Sequence, residues 1–261
     1  MYSGIDVSNF NGNIDWDRTA NDIDFAVIRI GWGSDYENQD DPEAERNMQE
    51  CERLSKPYQV YLYSYALNEE DARSEAAHAL RMIKNHSPQR VWIDMEDGDG
   101  YKERHGVNPY ESRQLLTDVC RIFCSEVESA GYKVGVYANK NYWDNVLFRD
   151  QLTDYSVWLA HWNIDKPSMD CLMWQYTSDG SVSGIKGRVD MDYYYGELEN
   201  TQGGNTQPER EYVVESGDSL WAIAERFYGD GSKYTVIASR NNIENPELIY
   251  AGHRLIIPDI D

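Results

Sequence analysis

Basic residues are scarce. The 261-residue chain has 24 Lys+Arg against 46 Asp+Glu, a formal charge of −22, and a surface of that sign repels a phosphate backbone, which excludes nucleic acid as the partner. Long apolar runs are missing as well: nothing approaches the roughly eighteen residues of a membrane span. The opening Met1-Tyr2-Ser3-Gly4-Ile5-Asp6 has neither the basic nor the apolar region of a secretory signal, so the expectation is a chain made in the cytoplasm. Cysteine is sparse, at Cys51, Cys120, Cys124 and Cys171, with no CxxC pair; buried free thiols from a reducing compartment are expected. His78, His86, His105, His161 and His253 show no metal-ligand spacing, and GxGxxG, GxxxxGK[ST] and HExxH are absent, so phosphate and zinc chemistry fit poorly. What is plentiful is aromatic: 20 Tyr and 8 Trp suit stacking on sugar rings as well as ordinary packing.

Residues 201–211, Thr-Gln-Gly-Gly-Asn-Thr-Gln-Pro-Glu-Arg-Glu, carry no large apolar side chain and read as a linker between a domain at 1–200 and a small one at 212–258. In the first, short β-rich runs (Ser3 to Val7, Phe25 to Ile30, Gln59 to Ala66, Val91 to Glu96, Val134 to Ala138, Val157 to Ala160, Leu172 to Tyr176) alternate with helical patterns around 43–55, 69–85 and 110–130. That alternation predicts a parallel α/β fold, and seven or eight strands favour a closed, irregular TIM-like barrel, poor in helices in its second half.

The run Val91-Trp92-Ile93-Asp94-Met95-Glu96 has period two, which puts Asp94 and Glu96 on one face at the C-terminal end of a strand, the active-site mouth of such a barrel. Asp6 ends the first strand in the same way, and Asp190, with Asp192 as a rival on the same face, closes the domain. Several carboxylates at one rim, with no metal ligands and with aromatic surfaces, point to glycoside hydrolysis, in which one protonated acid assists the departing oxygen and another carboxylate supports the reacting centre. Tyr63, Tyr137, Trp162 and Trp174, each near a strand end, are the candidate sugar-binding aromatics. Arg29 is placed either to hold Asp6 or another carboxylate ionised or to make a structural ion pair.

Gly4-Ile5-Asp6-Val7-Ser8, Val91 to Glu96, Gly135-Val136-Tyr137, Trp158-Leu159-Ala160 and Trp174-Gln175-Tyr176-Thr177 resemble, in order, the motifs of the Chalaropsis-type lysozymes, the family-25 glycoside hydrolases. The resemblance implies an N-acetylmuramidase cutting the β-1,4 bond between N-acetylmuramic acid and N-acetylglucosamine in peptidoglycan, with no metal or other cofactor. Residue by residue it makes Glu96 the general acid. Asp94 becomes either a nucleophile or the group that orients the substrate's 2-acetamido for internal attack, while Asp6 and Asp190 position the substrate or tune the pair. The chain departs from the pattern at Leu62, where the family often has histidine.

From Tyr212 to Pro258, Gly217-Asp218-Ser219-Leu220, Tyr228-Gly229 and Leu248-Ile249-Tyr250-Ala251-Gly252 closely resemble a LysM module, a β-α-α-β unit that binds N-acetylglucosamine-containing glycans. Gly217, Asp218, Ser219, Ile243, Pro246 and Ile249 are its candidate glycan contacts, with Asp218 or Ser219 also the expected helix cap. Together the two halves resemble a phage endolysin released through a membrane pore to lyse the cell wall, with a bacterial lysozyme exported by other means as the alternative. The competing readings are a wall-binding protein with a dead barrel and a chitinase-like N-acetylglucosaminidase, although the longer aspartate ladder of chitinases is missing before Asp94.

Overall fold

Period-two alternation produces eight barrel strands: β1 Tyr2–Val7, β2 Phe25–Trp32, β3 Tyr58–Tyr63, β4 Val91–Asp94, β5 Val134–Asn139, β6 Ser156–Ala160, β7 Met173–Gly180 and β8 Val189–Tyr194. They close on themselves in sequence order. The computed structural model describes residues 1–199, 210–215, 217–241, 243, 245–246, 248–250 and 252–258, and contacts divide the chain into two units, Met1–Gly204 and Asn205–Asp261.

The barrel is not wholly parallel. β1 through β7 run parallel, but β8 is antiparallel to both β7 and β1, which corrects the expectation of a parallel sheet. The cause is the short 181–188 connection, which carries no helix and so returns the chain as a hairpin. Helices flank the first half: α1 Trp16–Thr19, α2 Ala44–Arg53, α3 Glu69–Met82, α4 Tyr101–Arg104, α5 Arg113–Ser129 and α6 Lys140–Asn145. α3 is started by Asn68, whose side chain accepts the Asp71 N–H, with Glu69, Glu70 and Asp71 in its first turn favouring the positive end of the helix dipole. α5 buries Leu116, Val119, Cys120, Phe123, Cys124 and Val127 at three- and four-residue spacing and packs on α3.

Two apolar layers result. Val91, Ile93 and Met95 point outward into the layer beneath the helices, while Trp92 points inward to join Phe25, Val27, Tyr61, Tyr137, Trp158, Met173 and Tyr194 in the barrel interior. The interior has room for these rings because Gly4 and Gly135 have no side chain: a Cβ on Gly4 would lie 2.5 Å from the Phe25 ring, and one on Gly135 would run into Trp92. Cys51, Cys120, Cys124 and Cys171 are free thiols, the first three buried. Among the described residues no helix is long and apolar enough to cross a membrane.

In the second unit, β9 Arg210–Val213 pairs antiparallel with β10 Arg254–Ile257, and α7 Leu220–Tyr228 and α8 Tyr234–Arg240 pack over them on Leu220, Ile223, Ala224, Ile237, Leu255 and Ile257. Of the linker expected at 201–211, residues 201–209 lie outside the described residues. Arg210 and Glu211 are strand, because each has a partner on β10 to complete its ladder despite its polar side chain.

Candidate active site

Inward-facing residues at one end of the barrel surround a cavity of about 360 Å³. It is lined by Asp6 of β1, Tyr61 and Tyr63 of β3, Asp94 of β4 with Glu96 just beyond it, Tyr137 of β5, Gln175 of β7 and Asp190 of β8. Because β8 runs backwards, Asp190 enters from the start of its strand and pairs in register with Asp6. Its rival Asp192 lies deeper, fully buried, accepting the Trp158 indole N–H at 2.8 Å. All four expected carboxylates therefore meet in one cavity.

Burial is the leading reason that these acids hold protons. It raises Asp6 well above the ordinary carboxylate range, with Asp192 and Asp190 adding repulsion. Asp94 is raised by burial and then by Glu96, against opposing pulls from Lys102 and Arg29. Glu96 is raised by burial, with Lys102 opposing and Asp190, Asp99 and Asp97 reinforcing. Burial also lifts Asp190 to about 6 and Asp192 to about 7. Like charges facing one cavity disfavour ionisation of the whole set. One oxygen of the pair stands out: Asp94 Oδ1 is buried with no hydrogen-bond partner among the described residues.

Gln175, which the sequence did not single out, ties the mouth together. Its Nε2 donates to Asp6 Oδ2 at 2.8 Å, while its Oε1 accepts both the Tyr137 hydroxyl and the Trp162 indole N–H at 3.1 Å. Trp162 is 45% exposed at the rim. Tyr63 accepts the Gly98 N–H at 3.2 Å, which anchors the loop that follows Glu96.

One expectation is corrected and one pair of alternatives is decided, that of Arg29 in favour of the structural ion pair. Trp174 is not in the cleft: since Gln175 points into the barrel, its neighbour points out, where its indole donates to the His161 carbonyl and packs against Tyr176 and Tyr193. Arg29 lines the cavity but does not hold Asp6; its guanidinium makes a structural ion pair with buried Asp41 at 2.8 Å and also donates to Asn9. The guanidinium also lies under the Phe10 and Trp32 rings. A second cavity of about 440 Å³, lined by Asn9, Phe10, Arg29, Trp32, Tyr63, Tyr65 and Asp99, shares Phe10, Arg29 and Tyr63 with the first. The two share an aromatic flank, of which Phe10 lies in a polar loop, while Trp32 ends β2 and Tyr65 follows β3, where an aromatic side chain reads as ordinary packing.

In the second unit Ser219 is the cap of α7, accepting the Ala222 N–H. Asp218 instead folds back along the surface of its unit, accepting the Tyr212 hydroxyl at 2.7 Å and the Glu215 N–H at 2.8 Å, so its carboxylate is engaged by the fold. Gly217 sits at φ 97°, a backbone conformation suited to glycine. Ile243 and Ile249 are half-buried against the unit's core, and Pro246 lies between them in sequence, also half-buried.

The profile of glycosyl hydrolases family 25 matches residues 5–185, and that of the LysM domain matches residues 212–258. Among curated proteins, an uncharacterized protein of Deinococcus radiodurans is 55% identical over 47 residues, covering 18% of this chain and 19% of its own length. The autolytic lysozyme of Clostridium acetobutylicum is 28% identical over 138 residues, 52% of this chain and 39% of its own length. The solved structure of the modular autolysin LytC from Streptococcus pneumoniae, in complex with a synthetic peptidoglycan ligand, superposes with a TM-score of 0.66 at 28% identity, covering 74% of this chain and 46% of that one. The chain spans less than half the length of each of these three relatives.

Proposed function

The chain belongs to glycosyl hydrolases family 25 through residues 5–185, and from that premise we propose that it hydrolyses the β-1,4 bond between N-acetylmuramic acid and N-acetylglucosamine, lysing bacterial cell walls as endolysins do. Glu96, beyond the end of β4 and nearer the mouth, donates a proton to the departing glycosidic oxygen. Asp94, one strand-repeat deeper, orients the 2-acetamido group so that its carbonyl oxygen attacks the anomeric carbon; water then opens that intermediate and configuration is retained.

The observation that carries this reading is Asp94 Oδ1, a buried oxygen with no hydrogen-bond partner among the described residues. An acetamido N–H is the donor it needs, since a buried acceptor left unmatched costs on the order of 1–3 kcal/mol. Asp6 and Asp190, with Gln175 behind Asp6, shape the floor, and Tyr63, Tyr137 and Trp162 offer faces to the sugars. The LysM domain at 212–258 holds wall glycan and raises the local substrate concentration.

Product analysis tests the reading. After digestion of purified peptidoglycan and borohydride reduction, mass spectrometry is expected to find reduced muramic acid ends; reduced glucosamine ends would overturn the bond assignment in favour of a glucosaminidase.

A further inference from the structure

A lysine lies beneath the acid pair. Lys102 of α4 is fully buried, yet its ammonium does not pair with a carboxylate at hydrogen-bond distance: it donates to the main-chain carbonyls of Ser64 and of Glu96, the latter at 2.8 Å, and lies against the face of Tyr63. The loop is folded so that it points there. Asp97 accepts the N–H groups of Lys102 and Glu103 at 2.7 and 3.1 Å, and Gly100 supplies the left-handed turn at φ 70°. Since Ser64 follows β3 and its N–H is bonded to the Asp94 carbonyl, the ammonium fastens the ends of β3 and β4 on either side of the reacting groups.

The charges facing this spot are few. Glu96 feels Lys102 as the opposing charge, with Asp190 of β8 and with Asp97 and Asp99 of its own loop reinforcing its proton. Asp94 feels Glu96, Lys102, Asp190 and Arg29 of β2. Arg29 is already engaged by Asp41. From the far side, Glu75 of α3 faces Lys102; it is buried, raised to about 7, and accepts the Ser64 hydroxyl and the Tyr65 N–H. Burial pushes the Lys102 ammonium towards neutrality, and Glu75, Asp94 and Asp97 hold its charge in place.

We propose that Lys102 is the positioning residue of the acid pair, clamping the backbone of Glu96 and supplying the uncommitted positive charge that lets one carboxylate of the pair ionise while the other keeps its proton. The inference rests on the roles given to Glu96 and Asp94 above. A buried amine bonded only to carbonyls leaves its charge to act on neighbouring carboxylates, and one such charge within a few ångströms moves a carboxyl by about 1–3 pH units.

The test is the pH profile of kcat/KM on a soluble muropeptide oligosaccharide, paired with carboxyl carbon NMR titration of Asp94 and Glu96, which reads the same groups whether or not turnover occurs. Lys102→Met is expected to move both limbs up by about 1 pH unit and to lower kcat more than it changes KM. Lys102→Arg should restore the limbs to near the wild-type position. Glu75→Gln, which keeps the amine in place, should act in reverse and unequally. It should lower the alkaline limb, where Glu75 is ionised, and leave the acid limb, where it is already protonated. Folded Lys102→Met with diminished kcat but unmoved limbs and titrations would reduce the residue to scaffolding and overturn the proposal; if that variant does not fold, an unmoved alkaline limb and titration in Glu75→Gln does the same. A wild-type enzyme that shows these titrations but cleaves no oligosaccharide would sink the proposed function and leave the electrostatic role standing.

Discussion

The barrel mouth and the C-terminal unit use carboxylates in opposite ways. In the barrel, Asp6, Asp94 and Asp192 lie inside the strand ring, where burial drives their protons on. In the C-terminal unit, Asp218 and Asp230 lie at the surface, where hydrogen bonds from Tyr212 and from Ser232 hold them below the ordinary carboxylate value. The same residue type is thus a liability to the fold at the barrel mouth and a fastening where hydrogen bonds or an ion pair engage it, at Asp218 of the C-terminal unit as at Asp41 and Asp97 of the barrel. A chain tolerates the first arrangement where chemistry uses it, since a carboxyl that stays protonated near neutrality is the acid a glycosidase needs.

The sharpest way to break this contrast is Glu96→Gln. The amide keeps the shape but has no proton to transfer, so muramidase activity should fall about 10²–10⁴-fold. Melting temperature should hold or rise, because the amide cannot ionise among the neighbouring acids at any pH. A folded variant retaining most activity would place the general acid elsewhere, with Asp190 the next candidate.

Stability against pH separates the units next. Asp190 ionises near 3.8 when unfolded and near 6 when folded, so over that interval the unfolded chain has released a proton that the native barrel keeps, and stability falls as pH rises. A shift of about two units corresponds to roughly 3 kcal/mol, and Asp192, at about 7, extends the decline towards neutrality. Asp218 has the opposite sign: its contribution is present above 3.8 and is lost as pH falls through its lowered folded value. Calorimetry from pH 3 to 8 of the wild type against Asp190→Asn and Asp218→Asn should show the Asp190-dependent part of barrel stability weakening upward and the Asp218-dependent part of the C-terminal unit weakening downward; parallel trends would erase the comparison.

Removing residues 205–261 should lower activity on insoluble walls by about tenfold while leaving soluble oligosaccharide turnover near its starting value, the mark of a tether. Equal loss on both substrates would mean that the units depend on one another. The smallest effect belongs to Asp218→Ala, expected to cost the C-terminal unit about 1 kcal/mol by freeing the Tyr212 hydroxyl and the Glu215 N–H. Its chemical-denaturation midpoint should drop with the barrel's unchanged.

What the sequence made legible is what local period dictates. Alternation over Val91 to Glu96 puts Trp92 and Asp94 on one face, and the barrel interior is where that face points. Which face of β7 turns inward is a different matter. Trp174 and Gln175 alternate equally well in either sense, and contacts distant in the chain, among them the bond from Gln175 to Asp6, 169 positions away, select between them. The reversal of β8 is likewise topological, since Val189 to Tyr194 alternates identically in both directions. Lys102 was illegible for another reason: within Glu96-Asp97-Gly98-Asp99-Gly100-Tyr101-Lys102-Glu103-Arg104 a lysine looks like one more solvated charge, and only the folded loop takes it under the floor.

The reversed strand has a consequence for engineering. Because β7 arrives at the mouth and β8 departs from it, the 181–188 hairpin is a rim segment joined to the barrel at two adjacent points, Gly180 and Val189. Its first part is riveted to the neighbourhood of α1: the Ser183 carbonyl takes the Thr19 hydroxyl, the Gly184 carbonyl takes the Asp15 N–H, and the Ser183 N–H reaches Asp22. Its last part, ending at Arg188, borders the cavity. A library that keeps Ser183, Gly184, Ile185 and Gly187 and varies Lys186 and Arg188 would therefore resculpt the rim while the strand ladder and the core contact of Ile185 stay in place, giving directed evolution a handle on what the cavity admits.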